Sequence, residues 1–390
     1  MYDAIIVGAG FAGSVIACEL AKKEKKVLVL EKREQIGGNM YEYEDTNGIP
    51  IHKYGPHIFH TSNKEVFEYL QQFTDFFKYE HKVLGRIDGQ LVPIPFNFTS
   101  LEKLFSEEEA TQIKEKLLSK YEKDTKISIL DLINDEDKMI KEFGEFVYEK
   151  VFVHYTAKQW EIPVEQVDSS VINRVPVILG YDDRYFQDTY QYMPKRGFTE
   201  IFENMLKDEK ITVELNQNAI DRIKIDTEEN KVYFDNEEFD GTVVYTGAID
   251  EILDYKFGEL PYRSIDLVFE QYKQKEYQPT AVVNYPNEER FTRITEFKHF
   301  YPFDDNLKQK EDTTILKEYP LMYDRKSPKN LTPYYVITNE ENLKCYEKYK
   351  NSVKDIKNLY FCGRLAEYRY YNMDAVVERA LQVVKEIENK

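Results

Sequence analysis

The sequence is poor in the residues that do metal and thiol chemistry. Its 390 residues include 3 cysteines, 6 histidines and 1 tryptophan. Cys18, Cys345 and Cys362 form no C-x-x-C pair and no disulfide framework. That pattern points to a reducing cytoplasm and argues against a redox-active cysteine pair; no metal is expected. Positive charge is also short: 53 Lys and Arg against 71 Asp and Glu leave a formal net charge of −18. Such a surface disfavours nucleic acid and anionic membrane as partners. An anionic small ligand then needs its own local cluster of Arg or Lys. Long apolar runs are missing as well. Ala4 to Cys18 is nearly all apolar, but Asp3 precedes it and no basic segment leads it. The run is too short to span a bilayer and does not read as a signal peptide. A buried strand entering a buried helix explains it better.

What is present fits a soluble globular protein of two or three domains, with 42% hydrophobic and 14% aromatic residues. Tyr2 to Val7 reads as a buried strand, Phe11 to Lys22 as a helix, and Lys26 to Leu30 as a parallel interior strand with no polar face. Val83 to Leu91 reads as a hairpin turning at Asp88-Gly89. Thr99 to Tyr155 reads as helical, with capping boxes at Thr99…Glu102 and Ser106…Glu109. From about Ile211 to Tyr335 strands dominate, including Thr280 to Tyr285 and Phe291 to Phe297. Asn358 to Cys362 is a last strand, followed by Gly363 and an apolar-periodic helix from Asp374. A chain that opens with βαβ and closes with strand–Gly–helix builds one nucleotide domain from both ends.

Gly8-Ala9-Gly10-Phe11-Ala12-Gly13 is G-x-G-x-x-G between that first strand and helix. Gly8 permits the tight turn, Gly10 lets the backbone approach a pyrophosphate, and Gly13 allows close helix–strand packing. Glu31 ends the second strand about 20 residues on, where an acid takes ribose hydroxyls and disfavours a 2′-phosphate. Arg33 and Gly37-Gly38-Asn39 follow shortly after, a pattern seen in FAD proteins of the glutathione-reductase superfamily. No second G-x-G exists, so a separate NADPH domain is not expected.

Further motifs run in order along the chain: Ile36-Gly37-Gly38-Asn39, Lys53 to Thr61 (KYGPHIFHT), Tyr155-Thr156-Ala157-Lys158-Gln159-Trp160, Asn173 to Val177 (NRVPV), Phe291 to Glu296 (FTRITE), Pro333-Tyr334-Tyr335, and Gly363 to Tyr370 (GRLAEYRY). With them the chain resembles the bacterial UDP-galactopyranose mutases over nearly its whole length. The resemblance implies an α/β fold: an FAD-binding Rossmann-like domain with an inserted helical domain and an antiparallel β-sheet domain. The expected division is residues 1–80, 205–250 and 340–390 for FAD, 98–172 for the helices, and 81–97, 173–204 and 251–339 for the sheet with a lid loop.

The resemblance also implies a reversible ring contraction of UDP-galactopyranose to UDP-galactofuranose without net redox. The cofactor is FAD, active as reduced FADH−, whose N5 forms a covalent adduct with the sugar. By position, Arg174 on a mobile lid and Arg293 match the arginines that hold the diphosphate. Tyr155, Tyr185, Tyr335 and Tyr370 match phosphate- or site-lining tyrosines. Thr156 and Trp160 match the nucleoside side, and Asn284 an asparagine near the nucleotide. His57 and His60 match histidines beside flavin and sugar. Gly363, Arg364 and Met373-Asp374 match flavin contacts, beside Gly8, Gly10, Phe11, Gly13, Glu31, Gly38 and Asn39. An external reductant and a homodimer are implied as well. His52, His81 and His299 read as structural, and Glu107-Glu108-Glu109 as a solvated helix start that suits the dipole.

Departures from the family fall at its nucleotide and sugar ends. His154, Glu161 and Tyr192 stand where glycine is usual, Asn372 where aspartate is usual, and Val151 where some members have an aromatic. A side chain in place of glycine reshapes a turn or blocks a close approach. Two other donors therefore stay open beside UDP-galactose: dTDP-fucopyranose and UDP-N-acetylgalactosamine. Two other classes stay open too. One is an FAD oxidoreductase of the amine-oxidase type. The other is a flavin-binding protein without catalysis.

Overall fold

The computed structural model describes residues 2–153, 155, 158, 176–329 and 331–389. Arg174, Thr156, Trp160, His154 and Glu161 lie outside the described residues.

Three distant parts of the chain meet in one parallel sheet. Its five strands run in the order Ile211–Glu214, Val27–Leu30, Ala4–Val7, Thr242–Tyr245, Leu359–Phe361. Ala4–Val7 and Val27–Leu30 are buried throughout, as an all-apolar parallel strand must be. The helix Phe11–Ala21 is buried on nearly every side because Met373–Glu388 packs across its outer face. This accounts for the apolar N-terminus. Among the described residues no helix is long and apolar enough to cross a membrane.

A second sheet has seven strands, in the order Tyr335–Val336, Tyr262–Tyr272, Thr313–Met322, Arg293–Glu296, Val282–Asn284, Val83–Ile87, Gln90–Ile94. The hairpin turns where expected, with positive φ at both Asp88 (48°) and Gly89 (81°). The sheet is not wholly antiparallel: Val282–Asn284 runs parallel to Val83–Ile87. The long excursion between these strands frees the second from the direction a short hairpin would impose.

The helical region has its own core, centred on Leu117, Leu132, Phe143 and Val147. It is not one run. The helices Phe98–Leu104, Glu107–Lys120, Ile129–Ile133 and Lys138–Val147 are separated by breaks, and Lys126–Ile127 pairs as a strand with Val177–Ile178. Ser106 and Glu109 form the expected capping box. Thr99 is not a cap. Asn97 takes that place, accepting from Ser100 N at 3.0 Å while Ser100 Oγ accepts from Asn97 N at 3.3 Å. Asn97 wins because its amide also donates to Asp182 O (3.1 Å) and Asp183 Oδ1 (2.9 Å), tying the helix to a distant loop. The side chain is 1% exposed. Asn97→Ala is expected to cost about 2 kcal/mol of unfolding free energy, read by urea denaturation.

Candidate functional site

The sheet topology aims one long cavity, about 790 Å³ in volume, between the two sheets. One part of its lining is the glycine loop. Gly8 N donates to Leu30 O at 2.8 Å, closing the turn against the second strand. A Cβ on Gly13 would lie 1.8 Å from Gly8 O, so helix and strand touch there through backbone alone. Gly38 has φ +55°, and a Cβ on it would lie 2.9 Å from Gly10 Cα. Glu31 is buried and stiffens the loop, accepting from Ala9 N (2.8 Å) and Arg33 N (2.9 Å).

Arg33 Nη1 and His57 Nδ1, both on this lining, are buried with no hydrogen-bond partner among the described residues. Arg33 is otherwise fixed, its guanidinium 3.9 Å above the Tyr54 ring and its Nη2 donating to Asn39 Oδ1 at 2.9 Å. A buried cationic donor without a partner is costly, and an anionic group of a bound molecule satisfies it. Burial, helped by the Arg364 charge, holds the His57 imidazole well below its ordinary range, so it is neutral. Gly363 (φ +102°), Arg364, Asn372 and Met373 line the same space. Arg364 donates to Tyr334 O (2.8 Å) and Tyr371 O (2.7 Å) beneath the rings of Tyr335 and Tyr370. A flavin dinucleotide fits this lining: a cradle that admits no side chain, an orphaned cationic donor, and a buried carboxylate at the strand end.

The remaining lining carries the other residues singled out above. Arg293 Nε donates to Glu318 Oε1 at 2.7 Å, and Glu318 is 3% exposed at its side chain. Burial alone would weaken the guanidinium's charge, but Glu318 more than offsets it. Tyr155, Tyr185, Tyr335, Tyr370 and Asn284 share this space. Burial raises the hydroxyls of Tyr155 and Tyr335, so both stay protonated donors. The rings of Tyr335 and Tyr370 stack 6.0 Å apart. His60 lies on Phe186 with ring centroids 3.6 Å apart, its Nδ1 2.9 Å from Asp188 Oδ2.

Some lining residues were not legible. His81, read above as structural, lines the cavity; burial pushes it down to about 3, with Arg293 and His60 adding to the effect. Glu318 gave no clear signal, since it stands beside a second charge, Lys317, in the Thr313–Met322 strand. Phe186 gave none, nor did Asp188, which is off the lining and holds His60 from behind. Among the departures, Val151 and Asn372 line the cavity. Tyr192 does not: it packs on Phe67, ring centroids 4.6 Å apart, in the sheet formed with Phe59–Thr61 and Phe76–Lys78. Its placement at the substrate end is thus corrected; the position asks for an aromatic filling between two strands.

Known proteins share this architecture. A family model described as UDP-galactopyranose mutase matches residues 150–370, and one described as NAD(P)-binding Rossmann-like domain matches residues 6–73. A UDP-galactopyranose mutase of Mycoplasma pneumoniae is 32% identical over 389 residues, covering 99% of this chain and 96% of its own. A dTDP-fucopyranose mutase of Escherichia coli is 32% identical over 387 residues, 98% of this chain and 97% of its own. The crystal structure of a reduced UDP-galactopyranose mutase superposes with a TM-score of 0.67 at 16% identity, covering 100% of this chain and 94% of the other. This chain belongs to the UDP-galactopyranose mutase family.

Proposed function

We propose that the protein is a flavin-dependent isomerase that interconverts the pyranose and furanose forms of a nucleotide-linked sugar, with UDP-galactose as its donor. The observation that carries this reading is the single cavity joining the glycine cradle to Arg293 and four tyrosines. A dehydrogenase needs a path for hydride to a second acceptor. Here the lining offers instead a counter-charge and neutral donors for a diphosphate. FAD is the cofactor, active when reduced by an external donor. When bound and reduced, it supplies the nucleophile that carries the sugar between its two ring forms.

The chain's own residues do the rest. The anomeric C–O bond breaks with its electron pair leaving on the diphosphate, and the same bond re-forms once the ring has changed, so nothing is gained or lost. Arg293, with Arg174 from the segment outside the described residues, holds that charge. Glu318 fixes the Nε side of Arg293 and leaves its Nη groups for phosphate oxygens. Tyr155, Tyr185, Tyr335 and Tyr370 donate to the diphosphate and shut out water. Thr156, Trp160 and Asn284 seat the nucleoside, and His57, His60 and Asn372 face the flavin and sugar. A homodimer in the cytoplasm completes the reading, on the family resemblance alone.

The donor is decided by turnover. With dithionite-reduced protein, UDP-galactofuranose is expected to convert at least about tenfold faster than dTDP-fucofuranose, one methyl and two hydroxyls being worth at least that much. Turnover confined to the thymidine sugar would move the donor to dTDP-fucose, a change that Val151 and Asn372 on the cavity lining could accommodate.

A further inference from the structure

Glu42 and His52 take no part in the chemistry above, yet both are buried, His52 to 1% exposure. They face each other across a two-stranded pair. Phe198, Phe297 and Phe300 enclose the His52 ring at centroid distances of 6.0, 5.6 and 5.1 Å. The Glu42 carboxylate accepts from Tyr301 Oη at 2.7 Å and from Phe198 N, and its Oε1 lies 2.9 Å from His52 Nε2, off the N–H axis. A Cβ on Gly197 (φ +79°) would lie 2.6 Å from Glu42 Oε2, so the backbone closes on the carboxylate where no other residue fits. The other ring nitrogen, His52 Nδ1, accepts from the backbone N–H of His57 at 3.0 Å. His57 and its neighbours Tyr54 to Ile58 line the cavity.

We propose that Glu42 and His52 are positioning residues that set the cofactor-facing backbone at His57 by fixing one tautomer of His52. A nitrogen that accepts a hydrogen bond carries no proton, so the ring proton sits on Nε2, facing Glu42. Burial alone would raise the Glu42 carboxyl, but His52, Tyr301 and the Phe198 N–H hold it below the usual range, so it stays an anion. An anion beside Nε2 favours the proton there and leaves Nδ1 free for the His57 N–H. The chain turning at Gly55-Pro56-His57 is thereby tied to the core by a side chain rather than by a sheet ladder. The inference rests on the reading that the cavity binds a flavin.

The test separates tautomer control from packing. In long-range proton–nitrogen spectra of the ¹⁵N-histidine-labelled protein, His52 is expected as the Nε2–H tautomer. Glu42→Gln offers an amide donor to Nε2 and drives the proton to Nδ1, against the His57 N–H. FAD dissociation constants of the reconstituted variants are then compared. Glu42→Gln and His52→Leu are each expected to weaken FAD about tenfold, the worth of one lost buried hydrogen bond. His52→Asn places an oxygen where Nδ1 stood and is expected to stay within about threefold of wild type, although leucine fills the aromatic cage better. Wild-type His52 with its proton on Nδ1 or on both nitrogens would overturn the inference. Wild-type affinity in His52→Leu would do so as well. If neither variant folds, the wild-type tautomer alone decides. A wild-type protein that takes up no FAD, with the tautomer as stated, overturns the flavin reading and this inference's role for His57 together.

Discussion

Arg293→Ala is expected to lower turnover by about 10²–10³-fold while FAD remains bound. The guanidinium is half-buried with Glu318 as its fixed partner, and it faces a space lined by protonated tyrosines. A charge that appears on the leaving diphosphate meets a pre-oriented counter-charge there, the kind of interaction whose single loss costs that much. The Arg33, Asn39 and glycine-loop contacts lie on other residues and are not touched by the substitution. Steady-state turnover with reduced protein, set beside the visible flavin absorbance, reads both halves. Arg293→Lys is expected to recover only part of the loss, since an ammonium is a point charge without the bidentate fork. Near-normal turnover in Arg293→Ala would remove Arg293 from the site.

Gly13→Ala is expected to abolish flavin binding, the second large effect. The new methyl would sit 1.8 Å from Gly8 O and 3.1 Å from Ile6 Cγ2. The first contact is with backbone, which cannot swing aside as a side-chain tip can. The helix Phe11–Ala21 must move off Ala4–Val7, and the loop between them, which the cofactor would approach, moves with it. Flavin content of the purified variant, from its absorbance ratio, is expected near zero. A variant that purifies with a full complement of flavin would show that the close contact is not needed.

The two ends of the chain were readable because local pattern carries them. A strand with no polar face, a glycine loop and a terminal acid specify a parallel βαβ without reference to anything distant. The Asp88-Gly89 turn is equally local. What local pattern could not carry was any choice made by a distant partner. Thr99 had the right spacing for a cap, but Asn97 won through bonds to Asp182 and Asp183. The direction of Val282–Asn284 beside Val83–Ile87 depends on a connection almost 200 residues long. The site shows the same division. Arg293 and the tyrosines sit in recognisable motifs, whereas their supports do not. Asp188 reaches His60 across 128 positions and Tyr301 reaches Glu42 across 259. His81 looks like any core histidine until the fold places it beside Arg293 and His60. Tyr192 shows the converse: a departure from family pattern that packing explains, with no part in the cavity.

On the proposed function, the bound flavin, once reduced, serves an isomerisation that consumes no electrons. Anaerobic turnover of UDP-galactofuranose, followed together with the flavin spectrum, tests it most directly. Many equivalents of UDP-galactopyranose per flavin are expected while the spectrum stays that of the reduced form, and no product from the oxidised protein. Product formed in step with flavin oxidation, or turnover by the oxidised protein that consumes oxygen, would contradict it.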